Sequence, residues 1–127
     1  MKIRTTIISA VALTLIVPAV AMAANIIQTG ATDAGKILTD GQSMSLYVFD
    51  KDSAAVSNCN GECAVKWPPL QASRSDRAQG KFGIIIRADG SRQWTYKGAP
   101  LYAWFKDSIP GDINGDGIKG VWHLARP

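Results

Sequence analysis

Short runs rich in β-branched and aromatic residues alternate with polar segments along the chain after about residue 25. Runs such as MSLYVF, KFGIIIRA, RQWTY and PLYAWF have the length and composition of strands. Gly, Asp, Asn, Ser and Pro separate them, and DGQS (40–43) and DGSR (89–92) are typical of tight turns. Helical periodicity is weak, apart from one or two turns around CAVKW. The pattern predicts a mostly β domain with at most short helical turns.

One phrase occurs twice in the chain. LYVFDKDS occupies residues 46–53 and LYAWFKDS occupies residues 101–108, so the copies are 55 residues apart. At this offset, Leu46, Tyr47, Lys51, Asp52, Ser53 and Trp67 align without a gap with Leu101, Tyr102, Lys106, Asp107, Ser108 and Trp122. A repeat of this kind is the signature of a duplicated structural unit. We therefore predict two tandem related β units, at about residues 35–70 and 81–125.

The repeated phrase carries aromatic side chains on one face of a strand. The two-residue period places Tyr47 beside Phe49 and Tyr102 beside Trp104. Two such faces can pack together and bury large rings with little loss of side-chain entropy. The Asp and Ser that follow stop each strand, because their side chains bond nearby backbone N–H groups. The phrase is thus explained as architecture, and the repeated aromatic residues are predicted to form a shared core.

The first 23 residues have the pattern of a cleaved secretory signal. Lys2 and Arg4 precede an apolar stretch at 7–20, and Ala21-Met22-Ala23 supplies the small residues of a cleavage site. The alternative, an uncleaved membrane anchor, lacks a stop-transfer charge cluster. We expect a single domain over residues 24–127, without an integral membrane segment, in the periplasm or secreted.

The charge pattern does not favour nucleic-acid binding. The whole chain carries 14 Lys and Arg against 10 Asp and Glu, and removal of the signal leaves a net charge of about +2. The basic residues in the middle of the chain do not form the continuous stripe that a nucleic-acid footprint needs. We interpret them as a solvated face: Arg74, Arg77, Lys81, Arg87 and Arg92.

The two cysteines, Cys59 and Cys63, lie close together in CNGEC. In an oxidising compartment such a pair usually forms a disulfide, and Gly61 supplies a flexible turn between the thiols. Redox activity is an alternative, although catalytic dithiols have two intervening residues. Metal or cofactor attachment is another, although His123 is the only histidine of the chain. A local structural disulfide is the preferred interpretation.

Several motifs together resemble one known family. Tyr47 to Asp52 and Tyr102 to Asp107 both fit Tyr-x-(Phe/Trp/Tyr)-x-x-Asp, and CNGECAVKWPPL and RADGSRQWTYKGAPLY accompany them in order. Over about residues 35–125 the chain resembles the secreted repeat of unknown function, also described as predicted lipoproteins with a YX(F/W/Y)XXD motif. The resemblance implies an exported, bacterial cell-envelope protein without an established activity. The chain departs from the lipoprotein members because no cysteine stands at its predicted cleavage point.

A calcium loop is a further candidate. Asp112, Asn114, Asp116 and the following glycine match the first half of the D-x-[DN]-x-[DN]-G pattern. The twelfth position, where such a loop needs a bidentate Glu, is His123. We therefore expect a Gly/Asp turn rather than a cation site, and no cofactor, with weak calcium binding as the alternative.

The sequence does not present a catalytic constellation. His123 has no second histidine nearby, and no Ser or Cys stands in a nucleophile motif. We expect a non-catalytic binding or structural module whose partner is an envelope protein or glycan, with Trp94, Tyr96 and Lys97 as a possible ligand surface. The alternative is a periplasmic redox, cofactor-handling or metal-handling protein that uses the cysteine pair or the Asp-rich loop at 107–117.

Overall fold

The computed structural model describes residues 26–127, so the predicted signal at 1–23 lies outside the described residues. Its elements are short: β1 (Ile27–Thr32), β2 (Gly35–Asp40), β3 (Tyr47–Phe49), α1 (Glu62–Lys66), β4 (Phe82–Ile86), β5 (Arg92–Tyr96), β6 (Ala99–Pro100), the 3₁₀ turn η1 (Ile118–Gly120) and β7 (Trp122–Leu124). The prediction of a mostly β domain with short helical turns is confirmed. Between residues 26 and 127 we find no helix with the length and apolar character needed to cross a membrane.

Two antiparallel hairpins supply most of the ladder hydrogen bonds. The strands β1 and β2 pair over their full length, and β5 lies between β4 and β6 in a three-stranded sheet. The turn after β2 forms as predicted, because the Asp40 carboxylate accepts hydrogen bonds from the N–H groups of Gln42 and Met44 at 2.9 and 3.0 Å. In the β4–β5 hairpin, Gly90 takes a φ of +85° that few other residues adopt.

The two repeats are intertwined rather than stacked side by side. The motif strand of the first repeat, β3, pairs with β7 of the second repeat, with Tyr47 opposite Leu124. The equivalent motif residue of the second repeat, Tyr102, forms an antiparallel bridge with Pro69 of the first. Each repeat therefore completes its motif strand with backbone from the other repeat.

The centre of this exchange is a pair of equivalent tyrosines. The N–H of Tyr47 donates to the carbonyl of Tyr102 at 2.7 Å, and the N–H of Tyr102 donates to the carbonyl of Tyr47 at 3.0 Å. Both side chains are fully buried. The reciprocal contact relates the repeats by a local two-fold axis.

The interior divides into two apolar clusters on either side of the motif strands. The first cluster joins the two hairpins and is formed by Ile27, Leu38, Leu46, Trp94, Leu101 and Ala125. The second cluster contains the repeated aromatic residues and is formed by Ile37, Tyr47, Cys59, Trp67, Tyr102, Trp122 and Leu124. Both clusters draw residues from both repeats, so the shared aromatic core predicted from the sequence is confirmed.

The exchange of strands predicts that neither repeat folds alone. We expect fragments 26–80 and 81–127, separated in an exposed loop, to be unfolded individually, because each would expose half of both clusters and lose its pairing partner. An equimolar mixture is expected to recover the near-ultraviolet circular dichroism of the intact chain. A native-like spectrum from either fragment by itself would contradict the intertwined arrangement.

Candidate functional site

Crossed hydrogen bonds link the tyrosine of each repeated motif to the aspartate of the other. The Tyr47 hydroxyl donates to Asp107 Oδ2 at 2.6 Å, and the Tyr102 hydroxyl donates to Asp52 Oδ2 at 2.6 Å. Each bond has a charged acceptor and a buried donor, a combination that is stronger than a neutral hydrogen bond. The motif thus acts between repeats, and not within one repeat.

The other oxygen of each aspartate fixes the loop that follows the motif. Asp52 Oδ1 accepts from the N–H of Asn58 at 2.7 Å, and Asp107 Oδ1 accepts from the N–H of Asn114 at 3.0 Å. The Tyr47 oxygen also accepts a hydrogen bond, since the N–H of Gly115 donates to it at 3.2 Å. The strand, the aspartate and the loop of each repeat are therefore held as one unit.

Burial changes the protonation of this network. It raises the pKa of the Tyr47 and Tyr102 phenols well above their usual value, and the hydrogen bonds to the aspartates act in the same direction. Burial also raises the pKa of the Asp52 carboxyl, although the Asn58 N–H and the Tyr102 hydroxyl oppose this effect. Both tyrosines stay protonated donors well into the alkaline range.

A stack of four aromatic rings lies beside the crossed bonds. Its order is Phe49, Trp122, Trp67 and Trp104, with centroid separations of 4.1, 3.7 and 4.1 Å and interplanar angles of 8°, 4° and 34°. The two central rings are the repeated tryptophans, and the outer rings are the aromatic residues of the two motifs. Each outer ring covers the tryptophan of the other repeat.

The stack leaves only ring edges uncovered at its centre. Trp122 has Phe49 on one face and Trp67 on the other, and Trp67 lies between Trp122 and Trp104. Trp122 is 3% exposed and Trp67 is 4% exposed. The backbone also approaches closely, because a Cβ on Gly115 would lie 2.9 Å from both Trp67 and the Tyr47 ring. Position 115 therefore has no room for a side chain next to the stack.

A cleft of about 360 Å³ opens over the stack, and we call it the junction cleft. All four stacked rings line it, and its apolar walls are Cys63 from α1, Ile118 from η1 and Val121. The two short helical turns come just before the repeated tryptophans: α1 ends directly before Trp67, and η1 ends two residues before Trp122. The junction cleft is therefore lined by corresponding segments of both repeats.

Four charged side chains complete the lining of the junction cleft. Lys51 lies within the first motif, just after β3, Glu62 and Lys66 lie on α1, and Lys119 lies on η1. All four are exposed. Within residues 26–127 none of the three lysines lies within salt-bridge distance of a carboxylate. The rim of the junction cleft carries a net positive charge.

The predicted disulfide between Cys59 and Cys63 is confirmed. Cys59 is fully buried in the aromatic cluster, whereas Cys63 is half-buried and faces the junction cleft. The N–H of Trp67 donates to the Cys63 carbonyl at 2.8 Å. The disulfide therefore anchors α1 to the core and fixes one wall of the cleft.

The Asp-rich loop uses its polar side chains in separate hydrogen bonds. Asp112 accepts from the N–H groups of Ser108 and Ile109, which lowers the pKa of its carboxyl. Asn114 bonds Asp107, and Asp116 Oδ1 accepts from the N–H of Leu124 at 3.1 Å. Across residues 26–127 no group of three or more His, Cys, Asp or Glu side chains is placed to hold a metal ion. The loop has the geometry of connected turns.

His123 contacts an acidic partner that the sequence did not single out. Its Nε2 lies 2.7 Å from Asp50 Oδ2, and both side chains are about half-exposed. Val48 pairs with His123 across the β3–β7 ladder, which brings Asp50 alongside. Neither His123 nor Asp50 lines the junction cleft.

The ligand surface expected at Trp94, Tyr96 and Lys97 is not formed as such. Trp94 has no exposed surface, and its indole N–H is buried without a hydrogen-bond partner among residues 26–127. Tyr96 packs against Phe82, and the Lys97 ammonium lies 5.3 Å from the centroid of the Tyr96 ring. Trp94 lies inside because its hairpin packs on the first apolar cluster, and the middle of β5 is buried on both faces.

Arg87 was expected on a solvated face, and this expectation is wrong. The side chain is buried, and its guanidinium donates to Gln93 Oε1 at 2.8 Å and to the Cys59 carbonyl at 2.6 Å. It also donates to Ser57 Oγ at 2.8 Å. Arg87 thus ties the disulfide loop of the first repeat to the hairpin of the second. A charge count along the chain does not reveal this role.

The crossed bonds predict a specific loss of stability when a tyrosine hydroxyl is removed. We expect Tyr47→Phe to lower the free energy of unfolding by about 1.5–3 kcal/mol, because it removes a charge-assisted bond and leaves the Gly115 N–H without its acceptor. Denaturant unfolding measures the effect. Tyr96→Phe is the matched control, since no side-chain hydrogen bond within residues 26–127 uses its hydroxyl; an equal loss in the control would contradict the assignment.

The raised pKa values of the two buried phenols predict alkaline destabilisation. Above pH about 10 the unfolded tyrosines ionise while the folded ones keep their protons, so the unfolded state binds fewer protons and stability falls as pH rises. We expect this fall to be shallower in a Tyr47→Phe/Tyr102→Phe variant. Unfolding midpoints measured from pH 8 to 12 test the prediction, and parallel curves for the two proteins would contradict it.

Comparison with known proteins supports the division into repeats. A family model described as a secreted repeat of unknown function matches the chain twice, at residues 28–71 and 83–126. Searches of curated proteins and of solved structures found no match. The two matches cover well over half of the chain and include both motifs, both repeated tryptophans and the residues of the junction cleft. The chain belongs to the family of secreted repeats of unknown function, whose description indicates an exported protein.

Proposed function

We propose that the protein is an exported, non-catalytic binding module of the bacterial cell envelope, and that its ligand site is the junction cleft. The observation that carries the proposal is a cleft of about 360 Å³ that is lined by residues of both repeats. This volume is within the range of small-molecule sites. The periplasm is the location that we propose for it.

The construction of the junction cleft supports a binding role. Its floor is held by stacked rings, and its walls are held by the Cys59–Cys63 disulfide and the turn η1. Ligand sites are usually preformed cavities with apolar walls and a few polar groups that fix orientation. The junction cleft has this composition, with Ile118 and Val121 beside exposed lysines.

The arrangement of the titratable groups supports a role without catalysis. His123 contacts Asp50 and neither lines the junction cleft, and the thiols are joined in a disulfide. The lining consists of aromatic, apolar, lysine and glutamate side chains. A nucleophile activated by an adjacent base is the arrangement that covalent catalysis requires, and the lining does not supply one.

Blocking the junction cleft tests the proposed function. We expect Ile118→Trp, which places an indole in the cleft, to abolish binding of small envelope-derived molecules. Saturation-transfer NMR with a fragment set of carboxylates, phosphorylated sugars and neutral sugars measures it. Ile109→Trp is the matched control, because Ile109 is 62% exposed and does not line the cleft.

Two results would contradict the proposal. One is that no fragment binds the unmodified protein, and the other is that fragments bind both variants equally. Circular dichroism of each variant separates a blocked cleft from a misfolded chain.

A redox role is the second candidate, and the position of Cys63 favours it. Cys63 is half-buried and lines the junction cleft, so a bound reductant would reach the disulfide through its sulfur. This candidate predicts that glutathione buffers of envelope-like potential reduce the bond reversibly, as measured by thiol alkylation and mass spectrometry. A disulfide that remains oxidised in such buffers until the protein unfolds would remove the redox candidate.

A further inference from the structure

We infer that the junction cleft selects an anionic small molecule, one that presents a carboxylate or phosphate to the cleft floor and an apolar body to its walls. The inference rests on the proposed function and specifies the chemical class of its ligand. It differs from the expected ligand surface at Trp94, Tyr96 and Lys97, because none of these residues lines the junction cleft.

The first argument is the direction in which the rings face. Both faces of Trp67 and both faces of Trp122 are covered by neighbouring rings, so the cleft meets these indoles at their edges. An aromatic ring has a negative face and a positive edge. The edges of the two central indoles therefore attract negative groups, and their faces are not available for a sugar or a planar ligand to stack on; only the outer rings, Phe49 and Trp104, keep one face outside the stack.

The second argument is the placement of the lysines. Lys51, Lys66 and Lys119 come from three separate segments of the chain and line the same cleft as the ring edges. Glu62 is the one acidic group in this lining, so the lysines exceed it by two charges. Ammonium groups from different walls can approach a single anion from several sides, which is favourable for a carboxylate or a phosphate.

The third argument is the apolar part of the walls. Cys63, Ile118 and Val121 are half-buried and face the same volume of about 360 Å³. This space exceeds what a bare inorganic ion needs, and apolar side chains gain free energy only if a ligand removes them from water. The lining therefore fits an anion with an attached apolar ring or chain.

A pair of probes of equal shape tests the inference. Cyclohexanecarboxylate and cyclohexanecarboxamide differ mainly in charge, and isothermal titration calorimetry at low salt gives both affinities. We expect the carboxylate to bind about tenfold more tightly than the carboxamide, because each partly solvated lysine contributes modestly. We expect this preference to shrink as salt is added.

Variants that remove charges show whether the preference for the carboxylate arises at the junction cleft. Lys51→Gln/Lys66→Gln/Lys119→Gln is expected to equalise the two probes, whereas Glu62→Gln is expected to strengthen carboxylate binding about twofold. Lys36→Gln/Lys81→Gln/Lys97→Gln is the matched control, because it removes the same charge from exposed lysines that do not line the junction cleft. The control is expected to keep most of the tenfold preference.

The outcomes separate the inference from the proposed function. If both probes bind equally and Ile118→Trp abolishes both, the junction cleft is a binding site but the inference of anion selection is wrong. If the control triple variant loses the preference as fully as the cleft variant, general surface charge explains it, and the inference is again wrong. If neither probe binds the unmodified protein, the inference is wrong, and the fragment set with the Ile118→Trp variant decides the proposed function separately.

Discussion

The fold depends on two buried tyrosine hydroxyls that must each find an acceptor. A hydroxyl buried without a partner costs about 1–3 kcal/mol. Two such hydroxyls, those of Tyr47 and Tyr102, lie on either side of the same local axis. Both hydroxyls find an acceptor in the other repeat, since each tyrosine donates to the aspartate of the other motif at 2.6 Å. Because these aspartates also hold the following loops through Asn58 and Asn114, the exchange sets where both loops run.

The aromatic stack follows from the same exchange. Once the backbones of Tyr47 and Tyr102 pair with each other, strand geometry places Phe49 and Trp104 two residues beyond them on opposite sides of the axis. The two repeated tryptophans then meet face to face at 3.7 Å, and each tyrosine ring contacts the tryptophan of its own repeat edge-on. The ring packing, the hydrogen bonds of the hydroxyls and the pairing of the motif strands thus all favour the same arrangement. Such consistency is the condition for a well-defined fold.

The sequence predicted what is local or repeated, and it missed what depends on pairing between repeats. Composition and turn residues predicted short strands and the turn between β4 and β5, and the spacing of Cys59 and Cys63 predicted the disulfide. Period-two alternation states which side chains share a face, but it does not state which strand lies opposite. The crossed bonds, the cleft, and the burial of Trp94 and Arg87 all follow from that choice of partner, so they required the structure.

The two repeats agree where they build the axis and differ where they line the cleft. At the offset of 55 residues, Tyr, Asp and Trp are identical in both copies, whereas Glu62, Cys63 and Lys66 of the first repeat correspond to Gly117, Ile118 and Val121 of the second. The identical Tyr, Asp and Trp residues give the motif region a two-fold symmetry. The cleft lacks this symmetry, because the residues that α1 and η1 contribute to it differ. The α1 wall then carries Glu62, Lys66 and the disulfide, while the η1 wall is apolar apart from Lys119. A ligand with one charged end and one apolar end fits such a cleft in a single orientation, which a strictly symmetric cleft would not impose.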